Sequence, residues 1–260
     1  LWDLGTRSYS HDESIHAWEA WKLITGRGYT NSPVYHGPLL YHITALVFAL
    51  LGASHVTGRL ATSPPGIAIG FAPLAIRSSL GDQAVLAPTV LMAISPVMMH
   101  RSRFIRHDQF TILFNLVLIV ACLRYLDRRK PIYLYVAAAS LALGFAGKEP
   151  TFISYAIVGT YLAGVLFIAW LRSRDLRLET LVAQPAFALV VVIGTLILPF
   201  ASPLVIELLG HNPIYYTPGP MMFSLGIALV MFGIGAGIGF WWNPRRWAIC
   251  AALFWGIFIP

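Results

Sequence analysis

Apolar stretches of membrane-spanning length alternate with short polar connections from residue 59 onward. About 20 consecutive apolar residues are needed for a helix to cross the hydrocarbon core of a bilayer, and Leu181–Phe200 and Met221–Trp242 have that length. The predicted spanning helices are Arg59–Ile76, Ala84–Met99, Gln109–Tyr125, Pro131–Gly147, Phe152–Leu171, Leu181–Phe200, Met221–Trp242 and a run from Trp247 onward. This pattern predicts an all-α, polytopic transmembrane protein.

Residues 1–58 have a different pattern. The stretch Glu13–Ile24 places Trp18 and Trp21 at a three-residue spacing, which is typical of an amphipathic helix in the membrane interface. Residues 39–53 are apolar but too short to span comfortably. We therefore predict an extracytoplasmic loop over 1–58, with an amphipathic helix and a short re-entrant or surface helix. Residues 59–260 would form a bundle of about eight spans, with both ends of the chain truncated.

Composition supports this class. Hydrophobic residues make up 57% of the chain and charged residues 11%, whereas soluble domains average roughly 25% charged residues. The formal net charge of +7 raises the possibility of a nucleic-acid partner. Lysine and arginine instead fall in small clusters between apolar runs, as topology signals do, so the expected partner is the lipid bilayer and not nucleic acid.

The basic clusters predict the orientation of the chain. They are separated by two predicted spans each and therefore share one side, which the positive-inside rule makes cytoplasmic. Their residues are Arg124, Arg128, Arg129 and Lys130, then Arg172, Arg174 and Arg177, then Arg245 and Arg246. The same count places every histidine at or near the opposite face. The site chemistry is thus predicted to face outside the cytoplasm of the cell membrane.

The first candidate site is the run His11-Asp12-Glu13, followed by His16. A carboxylate beside a hydroxyl can act as a general base, and an acid pair can instead hold a divalent metal. The alternative is structural: Asp12 would cap the helix beginning at Glu13, and Glu13 would favour its first-turn dipole.

Two further polar loops are predicted on the same face. In the first, Arg103 and Arg106 precede His107 and Asp108, and arginine binds phosphate through a planar fork of donors. The alternative is an interfacial anchor whose arginines reach lipid headgroups. In the second loop, Lys148-Glu149 is either a self-neutralising pair or a further phosphate or substrate contact.

Tyr35-His36-Gly37-Pro38 leads into the short helix, with Pro38 suited to its first turn. His36 could orient substrate or ligate a metal, although a histidine at a helix entry is as often structural. The chain has no phosphate-cradling glycine loop and no nucleotide-binding signature, which suits a donor carried by lipid.

Four motifs carry a family resemblance: W-D-L-G-T-R-S-Y-S-H-D-E-S-I-H-A, P-V-Y-H-G-P-L-L-Y-H, R-F-I-R-H-D and G-K-E-P-T-F-I. With them the chain resembles membrane glycosyltransferases of the GT-C fold, in particular their mannosyltransferase-like (PMT-type) branch. Within that branch it is similar to the archaeal and bacterial family of flippase-activity-associated proteins of N-glycosylation. The resemblance covers residues 1 to about 155 well and the later helices only in general character.

The resemblance implies transfer of a sugar from a polyprenyl-phosphate-linked donor to a glycan, lipid or protein acceptor outside the cytoplasm. Asp12 and Glu13 match the acidic motif of the family's first external loop, which makes them the expected catalytic residues, with Asp12 preferred as the base. Magnesium or manganese is a possible cofactor, with Asp12, Glu13 and Asp108 as its ligands. The expected substrate-binding residues are His11, His16, Tyr35, His36, Arg103, Arg106, His107, Asp108, Lys148 and Glu149.

This hypothesis predicts that Asp12 and Glu13 share one outer cavity with Arg103, Arg106 and Lys148, within roughly 10 Å of one another. The rival hypothesis is a transporter or flippase for lipid-linked sugars, or a component associated with one. A third is a non-catalytic scaffold for glycan assembly. Crowding of the charged positions on one face, and the lack of a visible inverted repeat, favour the enzyme.

Overall fold

The computed structural model describes residues 4–28, 36–77, 81–173, 177–213 and 218–259. Every regular element in these ranges is a helix, which confirms the predicted all-α fold. The helices are α1 (His11–Ile24), α2 (Leu39–Leu51), α3 (His55–Leu60), α4 (Ser63–Gly70), a 3₁₀ helix (Ala72–Ile76), α5 (Asp82–Ile94), α6 (Pro96–Arg101), α7 (Asp108–Arg128), α8 (Ile132–Gly147), α9 (Thr151–Arg172), α10 (Leu178–Val182), α11 (Pro185–Ile197), a second 3₁₀ helix (Leu198–Ala201), α12 (Ser202–Leu208), α13 (Pro218–Trp242) and α14 (Pro244–Phe258).

Four helical segments of the described chain are long and apolar enough to cross a membrane: Asp108–Arg128, Thr151–Arg172, Pro185–Leu208 and Gly219–Trp242. They establish the chain as a polytopic membrane protein. Helix α8 has 16 residues and is about 24 Å long, which is shorter than the ~30 Å of hydrocarbon in a typical bilayer.

Three of the predicted spans are wrong as continuous helices. The predicted span Leu181–Phe200 starts at the end of α10, is divided before Pro185 and ends in a 3₁₀ helix. Residues 59–76 form the end of α3, then α4, then a 3₁₀ helix, because prolines sit in the first turns of the last two. Residues 84–99 are divided after Ile94, where Ser95 caps the new helix α6 and Pro96 opens it. Proline removes a backbone donor and clashes with the preceding turn. The predicted orientation of residues 1–58 is obtained by counting each of the stretches 59–76 and 84–99 as one membrane crossing. That orientation therefore stays a prediction.

The described residues divide into two compact units. The first comprises the residues up to Val120 together with Leu143–Thr151, and the second comprises Ala121–Ala142 and the residues from Phe152 onward. These units are groups of residues that are in contact mainly with one another. The predicted boundary after residue 58 follows sidedness in the membrane and stays a prediction.

In the first unit, α1 packs on α2 around a small apolar core that includes Ala17, Ala20, Leu40 and Phe48. Helix α1 begins at His11, two residues earlier than predicted, and its N-cap is Ser10. The Ser10 hydroxyl accepts from the Glu13 amide, and the Glu13 carboxylate accepts from the Ser10 amide. The predicted alternative of Asp12 as the cap is therefore wrong.

Three residues separate α7 from α8. A short turn joins them, with Arg129 in the left-handed region at φ 53°. Lys148, directly after α8, donates to Asp108 at the start of α7 across 2.8 Å. The loops that precede α7 and follow α8 therefore meet at this hydrogen bond.

In the second unit, α11 is buried along most of its length. Trp247 of α14 donates its indole N–H to the Thr195 hydroxyl at 2.9 Å, and its ring lies where a side chain on Gly239 would stand. Most large apolar side chains of α13 are exposed. Such a surface suits lipid contact, because soluble monomers rarely expose contiguous apolar area on this scale.

Candidate active site

A cavity of about 230 Å³ opens beside the first turn of α1, and we call it the Asp12 pocket. Its lining comes from α1, from the residues just before and at the start of α7, and from His36 and Lys148. Eight of the predicted site residues line this cavity: His11, Asp12, His16, His36, Arg106, His107, Asp108 and Lys148. The structure thus brings together side chains that are more than 130 positions apart along the chain.

The close approach of Gly37 to the end of α8 helps to form the pocket. A Cβ atom at this position would overlap the backbone carbonyl of Ala146, so the site requires glycine. The Gly37 carbonyl accepts a hydrogen bond from His107 Nε2 at 3.0 Å. This bond ties the segment entering α2 to the segment entering α7.

Charged side chains of alternating sign line the pocket. Asp12 lies 3.4 Å from Arg106, Arg106 lies 3.8 Å from Asp108, and Asp108 accepts from Lys148 at 2.8 Å. About half of the Asp12 side chain is exposed. Asp108 is held in a close ion pair, whereas the closest ion-pair partner of Asp12 is at the longer 3.4 Å distance. Asp12 is accordingly the better placed of these two carboxylates to accept a proton.

Two buried histidines form the floor beside these charges. The His16 and His107 rings are 5.0 Å apart and edge to face, and His16 Nδ1 lies 3.1 Å from the Tyr41 hydroxyl. Burial lowers the pKa of His16 to about 4 and that of His107 to about 3, because a low-dielectric site disfavours the charged imidazolium. Both rings are therefore neutral at physiological pH.

Glu13 does not face the Asp12 pocket, contrary to the prediction of a shared cavity. Its side chain is fully buried. One carboxylate oxygen accepts from Arg59 at 2.9 Å, and the other accepts from Arg59, Arg7 and the Ser10 amide. Burial alone would raise the pKa of Glu13, but the hydrogen bonds and charges of Arg59, Ser10 and Arg7 outweigh it and hold the pKa below its usual value. Glu13 is thus an ionised structural anchor of the loop before α1.

The structure also places Arg103 apart from Arg106. Arg103 lines a separate pocket with Arg7, Arg59 and His100, so the predicted cavity containing both arginines is not formed. Glu149 lies outside the pocket lining, where its carboxylate meets His36 Nδ1 at 3.1 Å. Tyr35 lies outside the described residues.

The predicted metal ligands Asp12, Glu13 and Asp108 do not form one ligand set, because Glu13 is turned into the core. Among the residues that the structure describes, no group of three histidine, cysteine or acidic side chains has an arrangement that could hold an ion. Magnesium is often held by one or two carboxylates together with substrate phosphates. A cation bound in that way at Asp12 or Asp108 stays a prediction.

Arg59 is a structural residue that the sequence analysis missed. Its guanidinium has five N–H donors, and all five are used: two on Glu13 and three on the backbone carbonyls of Leu4, Arg7 and Ser8. An arginine at the start of an apolar stretch needs a buried partner. This requirement, together with the acid pair Asp12-Glu13, could have predicted an ion pair between Arg59 and one of the two carboxylates.

The two neutral histidines make stability depend on pH. Between pH 6.5 and 5, His16 and His107 take up protons in the unfolded chain but stay neutral in the folded one, so the folded state loses stability as pH falls. We expect the free energy of unfolding to drop by roughly 1–3 kcal/mol over this window. Chemical denaturation in detergent at several pH values measures it. The double variant His16→Gln/His107→Gln should flatten the dependence, and a flat curve for the unaltered chain would contradict the assignment.

Comparison with known proteins gives one match. The model of the family described as dolichyl-phosphate-mannose-protein mannosyltransferase matches residues 35–202. This range contains most of the Asp12 pocket, although α1 lies before it. Comparisons with curated proteins and with solved structures give no match.

Proposed function

Because that match covers more than half of the sequence, the chain belongs to the dolichyl-phosphate-mannose-protein mannosyltransferase family, and we propose that it transfers a sugar from a polyprenyl-phosphate-linked donor to a hydroxyl acceptor at the Asp12 pocket. The family supports a membrane glycosyltransferase of the mannosyltransferase type. The observation that carries the finer proposal is the half-exposed Asp12 carboxylate beside Arg106 and Lys148.

Asp12 is the proposed general base. It would take the proton of the acceptor hydroxyl as the oxygen attacks the anomeric carbon, which breaks the bond to the donor phosphate and inverts that carbon. A carboxylate in this role needs access to the acceptor and an oxygen free to accept the proton. Asp12 has both, because it lines the cavity and its contact with Arg106 is at 3.4 Å.

Arg106 and Lys148 are the proposed contacts for the departing phosphate. Both line the pocket on the side of Asp108. Fixed positive charges stabilise the negative charge that develops on a leaving group, and they do so more strongly in a partly water-excluded site than in bulk water. Asp108 would hold these two cations in place before the donor binds.

The pocket is proposed to open on the extracytoplasmic side. The loops before α7 and after α8 meet at the pocket, whereas Arg124 and Arg128 lie near the C-terminal end of α7 and Lys130 follows that helix. Basic residues flanking spans favour the cytoplasm. This arrangement supports an active site facing outward.

Thiol labelling tests this orientation. Cysteines replacing the exposed residues Ser14 and Ala53 should react with an impermeant maleimide added outside intact cells. Asp127→Cys, exposed in the last turn of α7, should react only after permeabilisation. The unaltered chain gives the background, since Cys122 and Cys250 are buried. Labelling of Ala53→Cys only after permeabilisation would overturn the proposed orientation.

The family suggests which donor sugar and which acceptor to test first. The family's description names dolichyl-phosphate-mannose and protein, so mannose and a protein hydroxyl are the first pair to test. The resemblance to flippase-associated proteins of N-glycosylation adds a lipid-linked glycan as the second acceptor. A role in lipid-linked sugar translocation is the alternative function.

An assay on the protein in proteoliposomes separates these functions. Radiolabelled polyprenyl-phosphate mannose is supplied with a hydroxyl acceptor, and both the label on the acceptor and the leaflet distribution of the donor are measured. We expect label on the acceptor without accelerated donor exchange between leaflets. Exchange without transfer would establish the translocation function instead.

A further inference from the structure

We propose that the protein has a second anion site, separate from the Asp12 pocket, that binds a phosphate group. The site is a pocket of about 190 Å³, which we call the Arg103 pocket, lined by Leu4, Thr6, Arg7, Arg59, His100 and Arg103. It shares no lining residue with the Asp12 pocket. This proposal does not depend on glycosyl transfer.

The Arg103 pocket has an excess of positive charge. Arginine is charged at any physiological pH, and three arginines line the pocket. Glu13 is the carboxylate that pairs with two of them, Arg7 and Arg59. No ion pair among the described residues includes Arg103. One carboxylate therefore balances three guanidinium groups, and an anion would relieve the repulsion among them.

The three arginines differ in what they can offer a ligand. Arg59 has committed all five N–H donors to Glu13 and the backbone, so it contributes charge but no hydrogen bond. Arg7 donates one bond to Glu13, and its guanidinium lies 4.7 Å from the centre of the Phe104 ring. These two contacts orient Arg7 and leave further N–H donors for a ligand. Arg103 is the third lining arginine and supplies a second donor fork.

Phosphate matches these donors. Its oxygens point in several directions and accept charge-assisted hydrogen bonds from two arginine forks at once. Thr6 and His100 also line the pocket and are exposed. The Thr6 hydroxyl and the His100 ring would add polar contacts to the phosphate. A carboxylate has only two oxygens in one plane and fills fewer of these positions.

The surface beside the pocket favours a lipid as the source of the phosphate. His100 lies on α6, and the same helix exposes Val97 and Met99 at 66% and 48% of their surface. Apolar side chains next to a cationic pocket suit a lipid, whose phosphate and acyl chains are joined. A soluble phosphate would use the pocket alone.

Binding measurements with two probes test the site and its source. The protein in uncharged detergent is titrated calorimetrically with inorganic phosphate and with a short-chain phosphatidic acid. Arg103→Gln should weaken binding at this site on the order of tenfold, since it removes a charge-assisted contact. Its fold should persist, because Arg103 forms no ion pair with a described carboxylate, and an unchanged unfolding midpoint checks this. Arg103→Lys should bind with intermediate affinity.

Lys148→Gln is the matched control, because it removes a cation from the Asp12 pocket only. Its binding at the second site should equal that of the unaltered chain. Tighter binding of phosphatidic acid than of inorganic phosphate, with both sensitive to Arg103, would identify a lipid phosphate. Equal binding of the two would identify the phosphate group alone as the ligand. Binding that is insensitive to Arg103→Gln, or abolished by Lys148→Gln, would overturn the second site.

Discussion

Replacing Asp12 with asparagine is expected to slow sugar transfer on the order of 10²–10⁴-fold, the usual contribution of a general base. Asparagine keeps the shape of the side chain but lacks an oxygen basic enough to take the acceptor proton. Donor affinity should change little, because Asp12 would act on the acceptor and not on the donor phosphate. The measurement is a donor-binding isotherm together with a single-turnover rate at saturating donor.

Two comparisons sharpen this result. Lys148→Gln should weaken donor binding as well as slow transfer, since it removes a proposed phosphate contact. Asp127→Asn, which changes an exposed carboxylate in the last turn of α7, should leave both quantities unchanged. A normal single-turnover rate for Asp12→Asn would remove Asp12 from the mechanism, and Asp108 would then be the remaining carboxylate in the pocket lining.

Replacing Arg59 with methionine is expected to destabilise the protein by about 3–5 kcal/mol, the usual consequence of removing one partner of a buried ion pair. The Glu13 carboxylate would stay buried with Arg7 and Ser10 alone, and three backbone carbonyls would lose their donor. Denaturation in detergent, followed by loss of helical circular dichroism, measures the effect.

The double variant Glu13→Gln/Arg59→Met should lose less stability than the two single variants together, because no unpaired charge is left at the centre of the anchor. The exposed pair Arg77–Asp82 provides the control, and Arg77→Met should have little effect, since exposed ion pairs contribute little. Loss of transfer by Glu13→Gln with unchanged stability would contradict the structural role of Glu13.

The sequence could predict the fold class but not how several helices break. Hydropathy over about 20 residues identifies α7, α9 and α13 as spans because their apolar runs are long and free of internal proline. Residues 59–76 and 84–99 are also mainly apolar and yet divide at prolines. Proline in a membrane helix can be accommodated by a kink or can end the helix, and the neighbouring residues that decide between these outcomes are distant in sequence.

The candidate site, too, could be predicted only in part from the sequence. Asp12 and Glu13 are adjacent, so their side chains point about 100° apart around the helix axis. One therefore reaches the pocket and the other the core. Which carboxylate is buried depends on Arg59, which is 46 positions from Glu13. Arg103 and Arg106 likewise separate into two pockets, because the loop between α6 and α7 turns between them.

Chemical rescue of an Asp12 variant tests the central proposal most directly. Asp12→Ala removes the carboxylate and leaves space in a cavity of about 230 Å³ that formate can enter. Single-turnover transfer from polyprenyl-phosphate mannose is measured with and without formate. If Asp12 is the base, Asp12→Ala should be nearly inactive and formate should restore part of the rate, because it supplies the missing proton acceptor. A rate for Asp12→Ala equal to that of the unaltered chain, with or without formate, would contradict the proposed mechanism.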